Sequence, residues 1–107
     1  MRREVKKTFA AIDLLITPTV PVLPAKISEN VDANGGLKYP FPIRNTAPFD
    51  VLGLPTISIP CGFTTSGLPI GLQMAGAPFA DSTVLALARA YEQATEWHKS
   101  RPKLNST

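Results

Sequence analysis

Two residues have the chemistry of a nucleophile and its base: Cys61, in Ile59-Pro60-Cys61-Gly62, and His98, in Trp97-His98-Lys99. A cysteine hydrolase needs the imidazole within hydrogen-bond reach of the thiol and a third group that orients it. Neither condition is supported by the pattern, because Cys61 sits at a strand end among apolar neighbours and His98 at the wet end of a helical segment, where the dipole favours a cation. A buried structural thiol and a surface histidine are the better reading. One cysteine and one histidine also exclude an intramolecular disulfide and a His/Cys zinc cluster. No cofactor is expected.

Carboxylates for acid–base work could come from Asp13, Asp50 and Asp81, but each stands at an element boundary, where Asp accepts backbone N–H bonds as a cap or turn former. Asp50 is the least settled of the three, since it precedes the densest part of the pattern. Gln73 could hold a ligand amide; a buried amide satisfied by neighbouring backbone is the commoner use of such a residue. Gly53, Gly62, Gly67, Gly71 and Gly76 fit neither GxGxxG nor a phosphate loop, because no strand–glycine–helix junction surrounds them.

The elements that must position these residues follow from apolar spacing. Val5, Phe9 and Ile12 place a narrow apolar stripe on a charged helix over Arg2–Ile12. Leu14-Leu15-Ile16-Thr17 is apolar on both alternating faces, as in an interior strand covered on both sides. Pro18–Pro48 is broken by six prolines and an Asn34-Gly35-Gly36 turn signal, and no regular element is placed there. Its residues Val20, Val22, Leu23, Ile27, Leu37, Tyr39, Phe41 and Ile43 are too apolar for a free linker, so it is expected to lie against another surface. Thr56–Phe63 and Leu68–Ala75 alternate with period two around Thr64-Thr65-Ser66-Gly67, which predicts an antiparallel hairpin. Ile57, Ile59, Ile70, Leu72 and Met74 share one kind of face, and small or polar residues the other. Pro60 cannot donate to a ladder and predicts an end to pairing or a bulge. A helix from Ser82 to about Lys99, capped by Asp81 or Ser82, buries Val84, Leu87, Ala88, Tyr91 and Ala94.

With 107 residues, 44% of them hydrophobic and 18% charged, the chain has the composition of one globular domain at most. The net charge of +3 misleads about partners. Its basic residues crowd the two ends, while Thr8–His98 carries four basic residues against seven acidic ones. A nucleic-acid surface needs a contiguous basic patch with interleaved aromatics, so no nucleic-acid partner is expected. No stretch reaches the ~20 apolar residues of a membrane-spanning helix, the N-terminus does not read as a signal peptide, and a lone cysteine suits a reducing, cytoplasmic setting.

Gly53-Leu54-Pro55, Ser58, Pro60 and Gly62, then Gly67-Leu68-Pro69 and Gly71-Leu72-Gln73, then Ala88 with Tyr91-Glu92, resemble the C-terminal end of the amidase-signature enzymes. Asp13-Leu14-Leu15-Ile16-Thr17-Pro18-Thr19 resembles that family's D-x-L-x-T-P-T segment upstream. The resemblance implies an α/β class, with residues 1–107 as the C-terminal segment of one α/β/α domain built on a large mixed sheet. In order these would be helix, strand, long loop, β-hairpin and helix. It also implies amide hydrolysis by a Ser–cis-Ser–Lys triad, no part of which matches any stretch of this chain. None of its lysines stands in the family's lysine context, so no catalytic residue carries over. In relatives that transfer ammonia from glutamine, an acidic residue helps bind that substrate; the corresponding place here is near Ile43 or Arg44, and Asp50 stands where many relatives have Asn. Ile43, Arg44 and Asp50 are therefore the expected substrate-pocket wall, for a small-molecule amide other than glutamine in a complete enzyme. The alternatives are a stand-alone, non-catalytic module that self-associates through exposed apolar surface, and a cysteine hydrolase using Cys61 and His98.

Overall fold

The computed structural model describes residues 2–38 and 41–104. Tyr39 and the end of the tail expected over Lys103–Thr107 lie outside these residues, as does the side chain of Phe41. Helix α1 (Arg2–Ala11) leads through a bend at Asp13 into β1 (Leu14–Pro18). After the short helix α2 (Ile27–Asn30) come a 3-10 turn (Phe41–Asn45) and helix α3 (Ala47–Leu52). Strands β2 (Thr56–Phe63) and β3 (Pro69–Gly76), helix α4 (Asp81–Ala94) and a 3-10 turn (Trp97–Lys99) complete the order.

The hairpin forms as its alternation predicts. Strands β2 and β3 pair antiparallel from Thr56↔Ala75 to Phe63↔Pro69, and the register shifts between Pro60 and Gly62. The bulge falls where the ring nitrogen of Pro60 removes a donor. Thr64 closes the turn through its backbone N–H to the Leu68 carbonyl at 2.8 Å and its hydroxyl, which accepts from the Leu68 N–H at 3.0 Å.

β1 adds on the other side of β3, antiparallel from Leu14↔Gly76 to Pro18↔Leu72, so the strand order is β1-β3-β2. This corrects the expectation of an interior β1. Among the described strands it is an edge, with Leu15 and Ile16 exposed. All three strands run antiparallel; the parallel pairings of a large mixed sheet are not among them.

One face of the sheet takes α4. Ile59, Met74 and Ala88 form the buried centre, with Ile57, Leu72, Leu87 and Tyr91 packed around it. The alternation of β2 and β3 meets the 3.6-residue spacing of Leu87, Ala88 and Tyr91 there. Helix α4 begins one residue earlier and ends earlier than its composition predicts. Its N-cap is Ala80, with no side-chain cap, so neither Asp81 nor Ser82 caps it; Asp81 lies in the first turn, where a carboxylate suits the dipole. At its end Thr95 turns extended (φ −134°, ψ 167°) and its hydroxyl donates to the Tyr91 carbonyl at 2.9 Å. Trp97 then folds back over β2, edge-on to Phe63 with ring centroids 6.1 Å apart.

The segment 18–48 is not free of regular structure. Besides α2 and the 3-10 turn, a bridge joins Val31 to Leu37 around an Asp32 turn, in which Asp32 Oδ1 accepts from the N–H groups of Asn34 and Gly36, both at 2.8 Å. Helix α3 follows at once, with Pro48 in its first turn, where the missing N–H costs nothing. Gly53 ends it in the left-handed region (φ 66°), as a C-terminal glycine permits. Asp50 is thus within α3 rather than at a boundary.

Candidate functional site

The face of the sheet opposite α4 is polar and tightly approached. Gln73 is 4% exposed, and its amide Nε2 donates to the Asn45 carbonyl at 2.8 Å and to the Thr17 hydroxyl at 3.1 Å. Asn45 Nδ2 in turn donates to the Pro18 carbonyl at 3.0 Å. Next to this pair, the Thr19 and Ser58 hydroxyls hydrogen-bond across Gly71, whose backbone carbonyl accepts the Thr19 N–H at 3.0 Å. A Cβ on Gly71 would stand 2.7 Å from Thr19 Oγ1 and 2.8 Å from Ser58 Oγ, so only glycine lets the chain after β1 cross the sheet this closely. Both N–H groups of the Gln73 amide are therefore taken by the protein, in line with its plainer reading, and they moor the 3-10 turn Phe41–Asn45 to the sheet.

That mooring positions two of the three expected wall residues. Ile43 and Arg44 sit in the moored turn, both exposed, and Asp50 is exposed on α3. Arg44 lines a shallow, largely apolar cleft of about 430 Å³ with Ala47, Pro48, Val51 and Leu52; Ile43 and Asp50 do not line it. The three residues are neighbours along one stretch of chain, but only Arg44 reaches this cleft. Pattern reading missed Thr17, Thr19 and Asn45 as partners of the polar face. The available signal was a run of Gly71, Gln73 and Ala75 on one side of a buried strand, which demands something small and polar opposite.

The other candidates do not assemble into chemistry. Cys61 is half-buried at the bulge, and its thiol donates to the Ile70 carbonyl at 3.5 Å. His98 corrects its surface reading: it belongs to the 3-10 turn after α4, is half-buried, and its Nδ1 is sealed from solvent without a hydrogen-bond partner among the described residues. Beside it the Lys99 ammonium sits 2.7 Å from Glu96 and holds that carboxyl below its usual range. This exposed pair favours folding at neutral pH, and its contribution is lost as pH falls through the lowered pKa. No group of three His, Cys, Asp or Glu residues that could hold a metal exists among the described residues. No helix of the described residues is long and apolar enough to cross a membrane.

Comparison with known proteins gives this arrangement a context. The chain is 41% identical over 104 residues to the A subunit of glutamyl-tRNA(Gln) amidotransferase from Thermodesulfovibrio yellowstonii, over 97% of this chain and 21% of that protein. It is 45% identical over 106 residues to the corresponding protein of Dehalococcoides mccartyi, spanning 95% and 20%. The chain thus spans about a fifth of the length of the curated relatives it matches. Among solved structures, 6-aminohexanoate cyclic dimer hydrolase superposes with a TM-score of 0.79 at 32% identity, over 95% of this chain and 23% of that one. The A subunit of glutamyl-tRNA(Gln) amidotransferase from Thermotoga maritima superposes with a TM-score of 0.72 at 36% identity, over 88% and 20%. These neighbours are amidase-signature α/β folds, the class that the resemblance implied. The model of the Amidase family matches residues 1–85, and with that match over most of its length the chain belongs to the Amidase family.

Proposed function

We propose that this chain serves as the C-terminal fifth of an amidase acting on carbon–nitrogen bonds of small amides. In that arrangement α4 and the three strands are scaffold, and the moored turn with α3 offers Ile43, Arg44 and Asp50 as pocket wall. The reacting groups stand in sequence outside these 107 residues, so the chain alone is inactive. The observation that carries this is surface area. The chain exposes 8252 Å², whereas a folded monomer of its mass exposes roughly 5,800 Å². Its radius of gyration is 16.6 Å, against about 13 Å for a compact domain of this length. An excess of about 2,400 Å² with Ile16, Val22, Leu23 and Leu85 exposed is what a piece cut from a larger core presents. The absence of an acidic group at Ile43 and Arg44 favours a general amide over glutamine. The mildly acidic body and lone cysteine favour a cytoplasmic setting, with neither nucleic acid nor membrane as partner.

A chimera tests it. Replacing the matching fifth of 6-aminohexanoate cyclic dimer hydrolase with this chain is expected to give a folded protein that hydrolyses an amide, with a KM altered by Arg44→Ala. A folded chimera without activity, or hydrolysis by the isolated chain at a rate unaffected by Cys61→Ala, would overturn the assignment.

The same excess surface favours a second reading, in which the chain is a non-catalytic module that self-associates through its apolar surface.

A further inference from the structure

Asn34-Gly35 is the only asparagine–glycine pair in the chain, and the function proposed above makes no use of it. A glycine after asparagine leaves the next backbone nitrogen unshielded by a side chain. That nitrogen can attack the asparagine amide, one reason asparagine counts among the thermally labile residues. The other asparagines precede valine, threonine or serine, whose side chains crowd the approach.

The fold supplies both an opportunity and a restraint. Asn34 is exposed, and its side-chain amide has no hydrogen-bond partner among the described residues, in contrast to the amides of Asn45 and Gln73. The Gly35 N–H, however, donates to the Asp32 carbonyl at 3.0 Å, and the Asp32 N–H donates to the Gly36 carbonyl at 2.8 Å. These two bonds close a three-residue loop in which Gly35 takes the left-handed conformation (φ 80°). The Asp32 carboxylate braces the loop by accepting from the Asn34 and Gly36 N–H groups, both at 2.8 Å. To reach the Asn34 side chain, the Gly35 nitrogen must leave the Asp32 carbonyl, and the backbone must rotate about the Asn34 Cα–C bond. The closed turn therefore holds the nucleophile off the amide beside it.

We propose that Asn34 is a self-modification site, an intramolecular deamidation whose rate is set by opening of the Asp32 turn. The Gly35 nitrogen forms a bond to Asn34 Cγ and the Cγ–Nδ2 bond breaks, so the proton of that nitrogen leaves with Nδ2 as ammonia. Water then opens the cyclic imide at one carbonyl or the other, giving aspartate or isoaspartate, and no other reactant is consumed. Either product works against the turn. An aspartate sets a second carboxylate beside Asp32. An isoaspartate routes the main chain through Cβ, and the extra methylene spoils the fit of the Asp32–Gly36 hydrogen bond and the Val31–Leu37 bridge. The reaction runs one way, and its isoaspartate product keeps the turn open.

Intact mass of the 107-residue chain held at neutral pH reads this reaction whether or not the chain is part of an active amidase. A gain of one mass unit is expected, placed at Asn34 by peptide mapping that resolves aspartate from isoaspartate. The folded chain should convert more slowly than the same chain in urea, because only the open turn reacts. Asp32→Ala removes two hydrogen bonds from the turn and should convert at least ~5-fold faster than wild type, with the far-UV circular dichroism kept. Asp32→Asn retains an Oδ1 acceptor and should stay within about twofold of the wild-type rate. A folded chain that converts as fast as the chain in urea overturns the gate. So does an Asp32→Ala rate equal to wild type, or an Asp32→Asn rate as fast as that of Asp32→Ala. Conversion first at Asn30 or Asn45, or none at Asn34 even in urea, overturns the site itself.

Discussion

Gln73 matters at the residue scale because its amide holds together segments far apart in sequence. Gln73→Leu keeps the volume but leaves the Asn45 carbonyl and the Thr17 hydroxyl without their donor. The loss should be about 1–3 kcal/mol, read as a lower urea midpoint. Gln73→Glu should be worse at neutral pH and recover on acidification. Burial raises a carboxyl pKa above its unfolded value, so stability returns as pH falls below the raised value and the protonated acid again donates. Phe79 poses the opposite case. It is 96% exposed, yet its φ is 64°, a conformation an aromatic residue adopts only under strain. Phe79→Gly gives up almost no packing and relieves that strain, so it should stabilise the chain by about 1 kcal/mol in the same measurement.

At the level of elements, the hairpin is legible because two independent signals agree, the period-two alternation of Ile57, Ile59, Leu72 and Met74 and the turn residues Thr64–Gly67. Proline is the ambiguous signal. Pro48 reads as a breaker, whereas in the first turn of α3 it is compatible with a helix; Pro60 reads correctly because a strand interior has no such exemption. The end of α4 is illegible for a different reason. Glu96, Trp97 and Lys99 suit a helix, yet the backbone turns extended at Thr95, whose hydroxyl bonds the Tyr91 carbonyl, and Trp97 packs on Phe63, a contact between residues distant in sequence. The edge position of β1 cannot be read at all, since a strand's composition reports that its faces are covered and not which neighbour covers them. Of the candidate site, Gln73 can be assigned to the small-residue face, but Asn45 cannot, because an asparagine after a proline-rich run reads as an ordinary turn former. The contact of α4 with the sheet is the element-scale interface most exposed to test. Met74 is 1% exposed between Ile59 and Ala88, and Met74→Ala should cost about 2–5 kcal/mol, melting α4 and the hairpin in one transition by circular dichroism.

For the molecule as a whole, stability should be distributed unevenly. Strand β3 is paired on both sides and carries the most buried residues, whereas α1 has no buried residue at all. Amide hydrogen exchange should therefore be slowest in β3 and the inward-facing groups of β2, and fastest in α1 and α2; uniform protection would contradict this picture. The pairing of β1 with β3 also has a consequence in time. The residues opposite Leu14–Pro18 come roughly sixty positions later in the chain. At a synthesis rate of about 5–20 residues per second, β1 waits roughly 3–12 s after it is made before β3 exists. The hairpin, whose strands are adjacent, can close almost as soon as it emerges. Of the three described strands, the apolar Leu14–Ile16 run is thus made before the strand it pairs with, and that delay makes it a natural target for a chaperone that attends this chain.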